Sequence, residues 1–134
     1  MYPSVMRKLS ILLVALTATA LASAPLTVDG LLKKASEHDG KAVSVKGEVS
    51  TFTEKTSRAG NKYTTFVLKG ENSVANAYSQ GHLDPKPKNG DMVEITGIYL
   101  KEKKLKDFTV KNEVNFTKVE GKPYGLKITK KKSG

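Results

Sequence analysis

Apolar residues follow two different periods along the chain. Val28, Leu31, Leu32 and Ala35 recur at the i, i+3, i+4, i+7 spacing of one helix face. Thr27 stands ahead of them as a cap, Asp29 falls in the first turn, and Leu26 can staple onto Leu31. Asp39-Gly40 ends the segment, because glycine takes the left-handed conformation that closes a helix. The spacing thus predicts a short helix of about ten residues. After Gly40 the period becomes two. Val43, Val45, Gly47, Val49 and Thr51 alternate with polar residues, which predicts a long half-buried strand over Ala42–Glu54. Gly47 in its middle marks a bulge or a sharp bend.

Four more strands follow. Tyr63–Lys69 sends Thr64, Phe66 and Leu68 to one side and Tyr63, Thr65 and Val67 to the other. Ser73–Tyr78 is short. Met92–Leu100 has Val93, Ile95 and Tyr99 on one face and bends at Gly97. Phe108–Val119 has Phe108, Val110, Val114 and Phe116 as apolar positions. Ser57–Lys62 and Lys101–Asp107 read as polar turns. Gln80–Gly90, with Pro85 and Pro87, can be neither helix interior nor central strand and is a loop.

One apolar run stands apart from these. Leu9–Ala22 follows Arg7 and Lys8 and spans about fourteen residues, short of the ~20 that cross a bilayer as a helix. It ends in Ala20-Leu21-Ala22, the small-residue pattern of a secretory cleavage point. Residues 1–22 are therefore expected to be a signal peptide, the alternative being an uncleaved anchor. No cysteine follows the cleavage point to carry a lipid. A periplasmic or secreted protein is the expectation, with no membrane span after cleavage. An exported chain without cysteine needs no oxidation machinery, which suits a bacterial setting. The remaining chain divides into an N-terminal helix over 23–40, a β domain over 41–121 and a basic tail over 122–134.

Composition narrows the chemistry. The 134 residues contain no cysteine and two histidines, His38 and His82, so a disulfide scaffold, a thiolate metal site and a cysteine nucleophile are excluded. His38 is expected at the helix end and His82 beside Asp84 in the proline loop, two groups where catalytic zinc needs three. No enzyme, metal or cofactor is expected. The formal net charge is +10, yet Lys122, Lys127, Lys130, Lys131 and Lys132 crowd the tail. That tail reads as a solvated end, or as a weak attraction for polyanions. Arg58 stands alone as an arginine after the leader, which disfavours bidentate reading of bases.

Five strands, two of them long and bent at glycine, are what a small closed barrel requires. The runs Gly40–Val49, Gly60–Leu68 and Gly90–Gly97 carry a resemblance to bacterial exported OB-fold domains of the nucleic-acid-binding, tRNA anticodon-binding-like type. The resemblance implies an all-β, five-stranded Greek-key OB-fold barrel behind the short N-terminal helix. It also implies a binding surface on the second and third strands and on the loops after the first and fourth. Those places hold Lys55, Arg58, Lys62, Tyr63, Thr65, Asn76, Tyr78, Lys101, Lys103, Lys104 and Lys106. Bases would stack on Tyr63 and Tyr78 while the cations meet phosphates. Alternatively, the tyrosines pack at the barrel rim and the lysines solvate loops, with Glu54, Glu71, Glu102 and Asp107 blunting the field. The expected function is non-catalytic binding, by a monomer, of single-stranded nucleic acid or another anionic polymer. The alternative is an envelope protein whose barrel holds a small molecule or a protein partner.

Overall fold

The structure, a computed structural model, describes residues 24–133; the leader expected over 1–22 lies outside them. Leu26–Thr27 forms a two-residue strand, β1, parallel to the longer strand β2, Ala42–Thr56. Between them the chain makes two short helices, α1 (Val28–Lys33) and α2 (Ala35–His38), not one continuous helix. The break is Lys34, which leaves helical geometry at φ −121°, ψ 40°. Helices this short have little stability of their own, and packing decides where they run. Val28 and Leu31 are fully buried, and Thr27 caps α1 by accepting from the Gly30 amide at 2.9 Å. Asp29 accepts from the Ser73 hydroxyl and the Asn72 amide, which ties α1 to a distant turn. These bonds, Ser73 foremost, hold the Asp29 carboxyl below its ordinary range.

The remaining strands are β3 (Lys62–Lys69), β4 (Val74–Gln80), β5 (Met92–Lys104), β6 (Thr109–Asn115) and β7 (Gly125–Lys130). β2 pairs with β3, β3 with β4, β4 with β6, β6 with β5, and β5 returns to β2. All these pairs are antiparallel except β4 with β6. The pairing order closes on itself, so these five strands have neighbours on both sides and the fold is OB-like. The sheet as a whole has seven strands, two more than the expected five, because β1 and β7 add to it.

β2 serves two partners in turn. Ala42 to Glu48 lies against β5, and Glu48 onward lies against β3. Gly47 sits at that handover, where a Cβ would come within 2.8 Å of the Leu68 side chain and the Lys69 carbonyl. Its register is unbroken, so Gly47 provides close approach rather than a bulge. The irregularity falls between Ser50 and Thr53, with Thr51 at φ 54°. Gly97 plays the equivalent part on β5, where a Cβ would overlap the Asn115 carbonyl. Inside the ring Val45, Val49, Phe66, Leu68, Val93, Ile95, Tyr99, Val114 and Phe116 form the core.

Three more expectations change. β5 runs on to Lys104, so the turn shrinks to the residues between Leu105 and Phe108, whose backbones bond at 2.8 Å. β6 begins after Phe108, which is 61% exposed and not a core residue. The basic tail is not merely a solvated end: Gly125–Lys130 pairs with the first half of β5, and Leu126 and Ile128 pack on the core. Asp91, 1% exposed, joins this strand to the proline loop by accepting from the Lys132 amide at 2.7 Å and the Lys88 amide at 2.9 Å. Those two bonds, the Lys132 one foremost, keep its carboxyl below the ordinary range.

Candidate ligand-binding groove

β3 and β4 alternate strictly. Thr64, Phe66, Leu68, Ala75, Ala77 and Ser79 point inward and are buried, which leaves Tyr63, Thr65, Val67, Asn76 and Tyr78 on the outer face. Thr65 stands opposite Tyr78 and Tyr63 opposite Gln80, so the two tyrosines are diagonal neighbours. At that offset aromatic side chains reach each other. Their ring centroids lie 5.9 Å apart with planes 32° from parallel.

The end of β2 flanks this face on one side and the β5–β6 hairpin on the other. Together they enclose a groove of about 550 Å³. Lys55, Tyr63, Thr65, Asn76, Tyr78 and Lys103 all line it. Lys103 holds its ammonium 5.0 Å from the Tyr78 ring centre and 3.0 Å from Glu113 Oε1. A cation over an aromatic face is attracted by the ring quadrupole. Asn76 donates to the Lys111 carbonyl at 2.8 Å, which fixes its amide across the β4–β6 pair.

The other sequence-expected residues scatter. Lys62 lines a smaller adjoining hollow of about 210 Å³ that it shares with Tyr63 and Tyr78. Arg58, in the turn after β2, and Lys104 and Lys106, at the β5–β6 tip, are exposed and line neither space. Lys101 does not belong to this site. It lies on β5 rather than in a loop, and its ammonium reaches the Ser36 hydroxyl of α2 at 3.2 Å. Its amide donates to Asp39 at 2.8 Å. Because strand alternation continues to Lys104, neighbouring lysines go to opposite faces, which separates Lys101 and Lys103 from Lys104.

Sequence reasoning missed part of the lining. Phe108 and Leu105, 61% and 42% exposed, stand at the hairpin end and form one lip of the groove. The available signal was their place: two apolar residues bracketing Lys106-Asp107, too far along a protruding hairpin to reach the core. Glu113 was missed for a different reason. Asn112 adopts φ 53° and accepts from the buried Tyr99 hydroxyl, which breaks the alternation so that Glu113 and Val114 are both buried. Burial, and secondarily Asp39, pushes the Tyr99 hydroxyl above its ordinary range. Among the described residues no group of three or more histidines and carboxylates is placed to hold a metal ion. No helix there is long and apolar enough to cross a membrane.

No family model matches the chain, and no curated protein matches it either. Solved structures do resemble it. One is a presumed nucleic-acid-binding lipoprotein from Klebsiella pneumoniae, with a TM-score of 0.57 at 18% identity, covering 87% of this chain and 99% of that one. Another is a mitochondrial single-stranded DNA-binding protein from S. cerevisiae, with a TM-score of 0.49 at 15% identity, covering 70% of this chain and all of that one. At these identities the first likeness concerns the fold, and the second is too distant to bear weight.

Proposed function

We propose that the protein is a non-catalytic, exported OB-fold module that binds a single-stranded nucleic acid, or a polyanion of similar build, in the groove over β3 and β4. The observation that carries this reading is the diagonal Tyr63–Tyr78 pair, outward-facing and edged by Lys55, Lys62 and Lys103. Bases stack on such rings without regard to sequence, and cations beside them track the phosphates. Phe108 adds a third ring at the lip. Lone Arg58 and the scattered lysines suit a binder that does not read base edges. The leader over 1–22 and the Klebsiella neighbour's description as a lipoprotein agree with a place in the cell envelope. The domain is then the OB-like barrel over 41–121, with β7 added from the basic tail.

The test is a fluorescence titration of the chain from Ser23 with a labelled oligothymidylate at rising salt. About three phosphate contacts give a log–log salt slope near −2 for a single strand. One observation favours the alternative of a small molecule or a protein partner: Glu113, 5% exposed, places a carboxylate in the groove and holds Lys103. Absence of oligonucleotide binding at low salt would leave that alternative standing.

A further inference from the structure

β7 walls a second concavity, which begins at the end of β4, just past the groove over β3 and β4. It measures about 670 Å³, within the ~300–1,000 Å³ usual for ligand pockets. Its walls come from the end of β4, the proline loop, the segment after β6 and β7. Leu83, Leu126 and Ile128 line it, and each packs on the core with only part of its surface buried. Phe116 lines it as well, and Pro85 stands at its edge.

The charged lining is one-sided. Lys118 and Lys131 stand against a single acid, Asp84. Among the described residues the ion pairs are Lys86–Glu54, Lys103–Glu113 and Lys127–Glu94, so neither lysine of this cavity has a carboxylate partner. His82 is anchored through Nε2 to the Lys55 carbonyl at 3.1 Å. The cavity therefore joins an aliphatic and aromatic interior to two exposed lysines that form no ion pair among the described residues.

We infer that this cavity is a binding site for a free single-chain carboxylate of the fatty-acid type, with its alkyl chain against Leu83, Leu126 and Ile128 and its carboxylate at Lys118 and Lys131. The two halves of such a ligand match the two halves of the lining. Burying its methylenes supplies affinity, and a charge-assisted hydrogen bond fixes the head. An uncharged alcohol of equal length would fill the same space and leave the lysines unpaired. An alkylammonium would be repelled. The assignment does not depend on nucleic-acid binding: the cavity shares no lining residue with the groove, and only Gln80 with the adjoining hollow where Lys62 meets Tyr63 and Tyr78.

The experiment titrates the chain from Ser23 with dodecanoate below its critical micelle concentration. Calorimetry measures affinity, and amide chemical shifts report location. The expected result is saturable one-to-one binding, with shifts centred on Phe116, Leu126 and Ile128, while Thr65, Val67 and Lys103 in the groove stay unmoved. Dodecanol and dodecyltrimethylammonium should bind about tenfold more weakly or not at all. The Lys118→Gln, Lys131→Gln double variant changes exposed side chains, keeps β7 paired, and should weaken dodecanoate by about tenfold or more, the scale of one charge-assisted bond. No saturation, equal affinity for dodecanol, shifts centred on Thr65, Val67 and Lys103, or undiminished affinity in the double variant would each overturn the assignment. Oligothymidylate added to the dodecanoate complex separates the two sites: it should not displace the ligand, and displacement would show that both use the groove.

Discussion

Ending the chain at Tyr124 removes β7 and tests whether the last strand belongs to the folded domain. Read as a basic, polar tail, this segment could be cut with almost no effect on the thermal midpoint. The structure predicts otherwise. β7 meets β5 at five register positions, from Met92–Lys130 to Thr96–Gly125. Leu126 and Ile128 are each partly buried against the core. Taking half of the ~2 kcal/mol that full burial of such a side chain is worth gives about 2 kcal/mol for the two together. The cut also deprives buried Asp91 of the Lys132 amide. For a domain of this size ~2 kcal/mol corresponds to a midpoint lowered by roughly 10 °C. A second effect should accompany it. Without β7, the Met92–Thr96 half of β5 becomes an open edge, and open edges associate. Thermal circular dichroism and size-exclusion chromatography read the two effects. A control with Lys127, Lys130, Lys131 and Lys132 all changed to Gln keeps the strand and should keep most of the midpoint. A truncated monomer melting within a couple of degrees of the full chain would refute the reasoning, and an equal loss in the control would assign the effect to charge instead of pairing.

Three further outcomes are expected. Tyr63→Ala and Tyr78→Ala should each weaken oligonucleotide binding by roughly 1–3 kcal/mol with the fold intact, Phe108→Ala should act in the same direction, and because the two tyrosine rings touch, their double variant should lose less than the sum; fluorescence titration beside circular dichroism checks this, and undiminished affinity in folded single variants would remove the groove from the proposal. Gly97→Ala, whose methyl would overlap the Asn115 carbonyl, should cost at least the ~1–3 kcal/mol typical of overpacking, read as a lowered denaturant midpoint, because the obstacle is backbone and not a side chain that can turn away. Asp29, Glu54 and Asp91 all have carboxyls below their ordinary values, Glu54 chiefly through the Lys86 ammonium. The unfolded chain therefore takes up protons first on acidification: the stabilisation is complete above the ordinary carboxyl values of 3.8 and 4.5 and is lost as pH falls through the lower folded-state values. Denaturant midpoints measured from pH 6 down to pH 3 should fall, and Asp91→Asn should start lower and fall less steeply; an Asp91→Asn curve parallel to that of the parent would contradict the assignment.

The period-two runs were enough to locate the five strands that make the ring. Burying alternate residues of β3 and β4 leaves no freedom about which face Tyr63 and Tyr78 occupy, so the aromatic face was legible before any coordinates. Gly47 and Gly97 marked the places where a strand changes partner, though not the reason. A sequence shows that a side chain is missing, and only the crossing backbone at Lys69 and Asn115 shows what fills the space. Other features depended on partners distant in the chain. Lys101, Lys103 and Lys104 look like one charged turn, but the extension of β5 sends Lys104 to the opposite face from the other two, and spaces those along the strand so that Lys101 meets Ser36 and Lys103 meets Glu113. Glu113 is buried only because Asn112 breaks the alternation beside Tyr99, a local event with a tertiary cause. β7 is the plainest case. Gly125–Lys130 holds too few apolar residues to declare itself a strand, and it becomes one because β5 offers an unpaired edge and Asp91 takes the Lys132 amide. Local pattern fixes what each residue does to its neighbours in sequence. Where free energy comes from an edge or a carboxylate dozens of residues away, only the assembled chain decides.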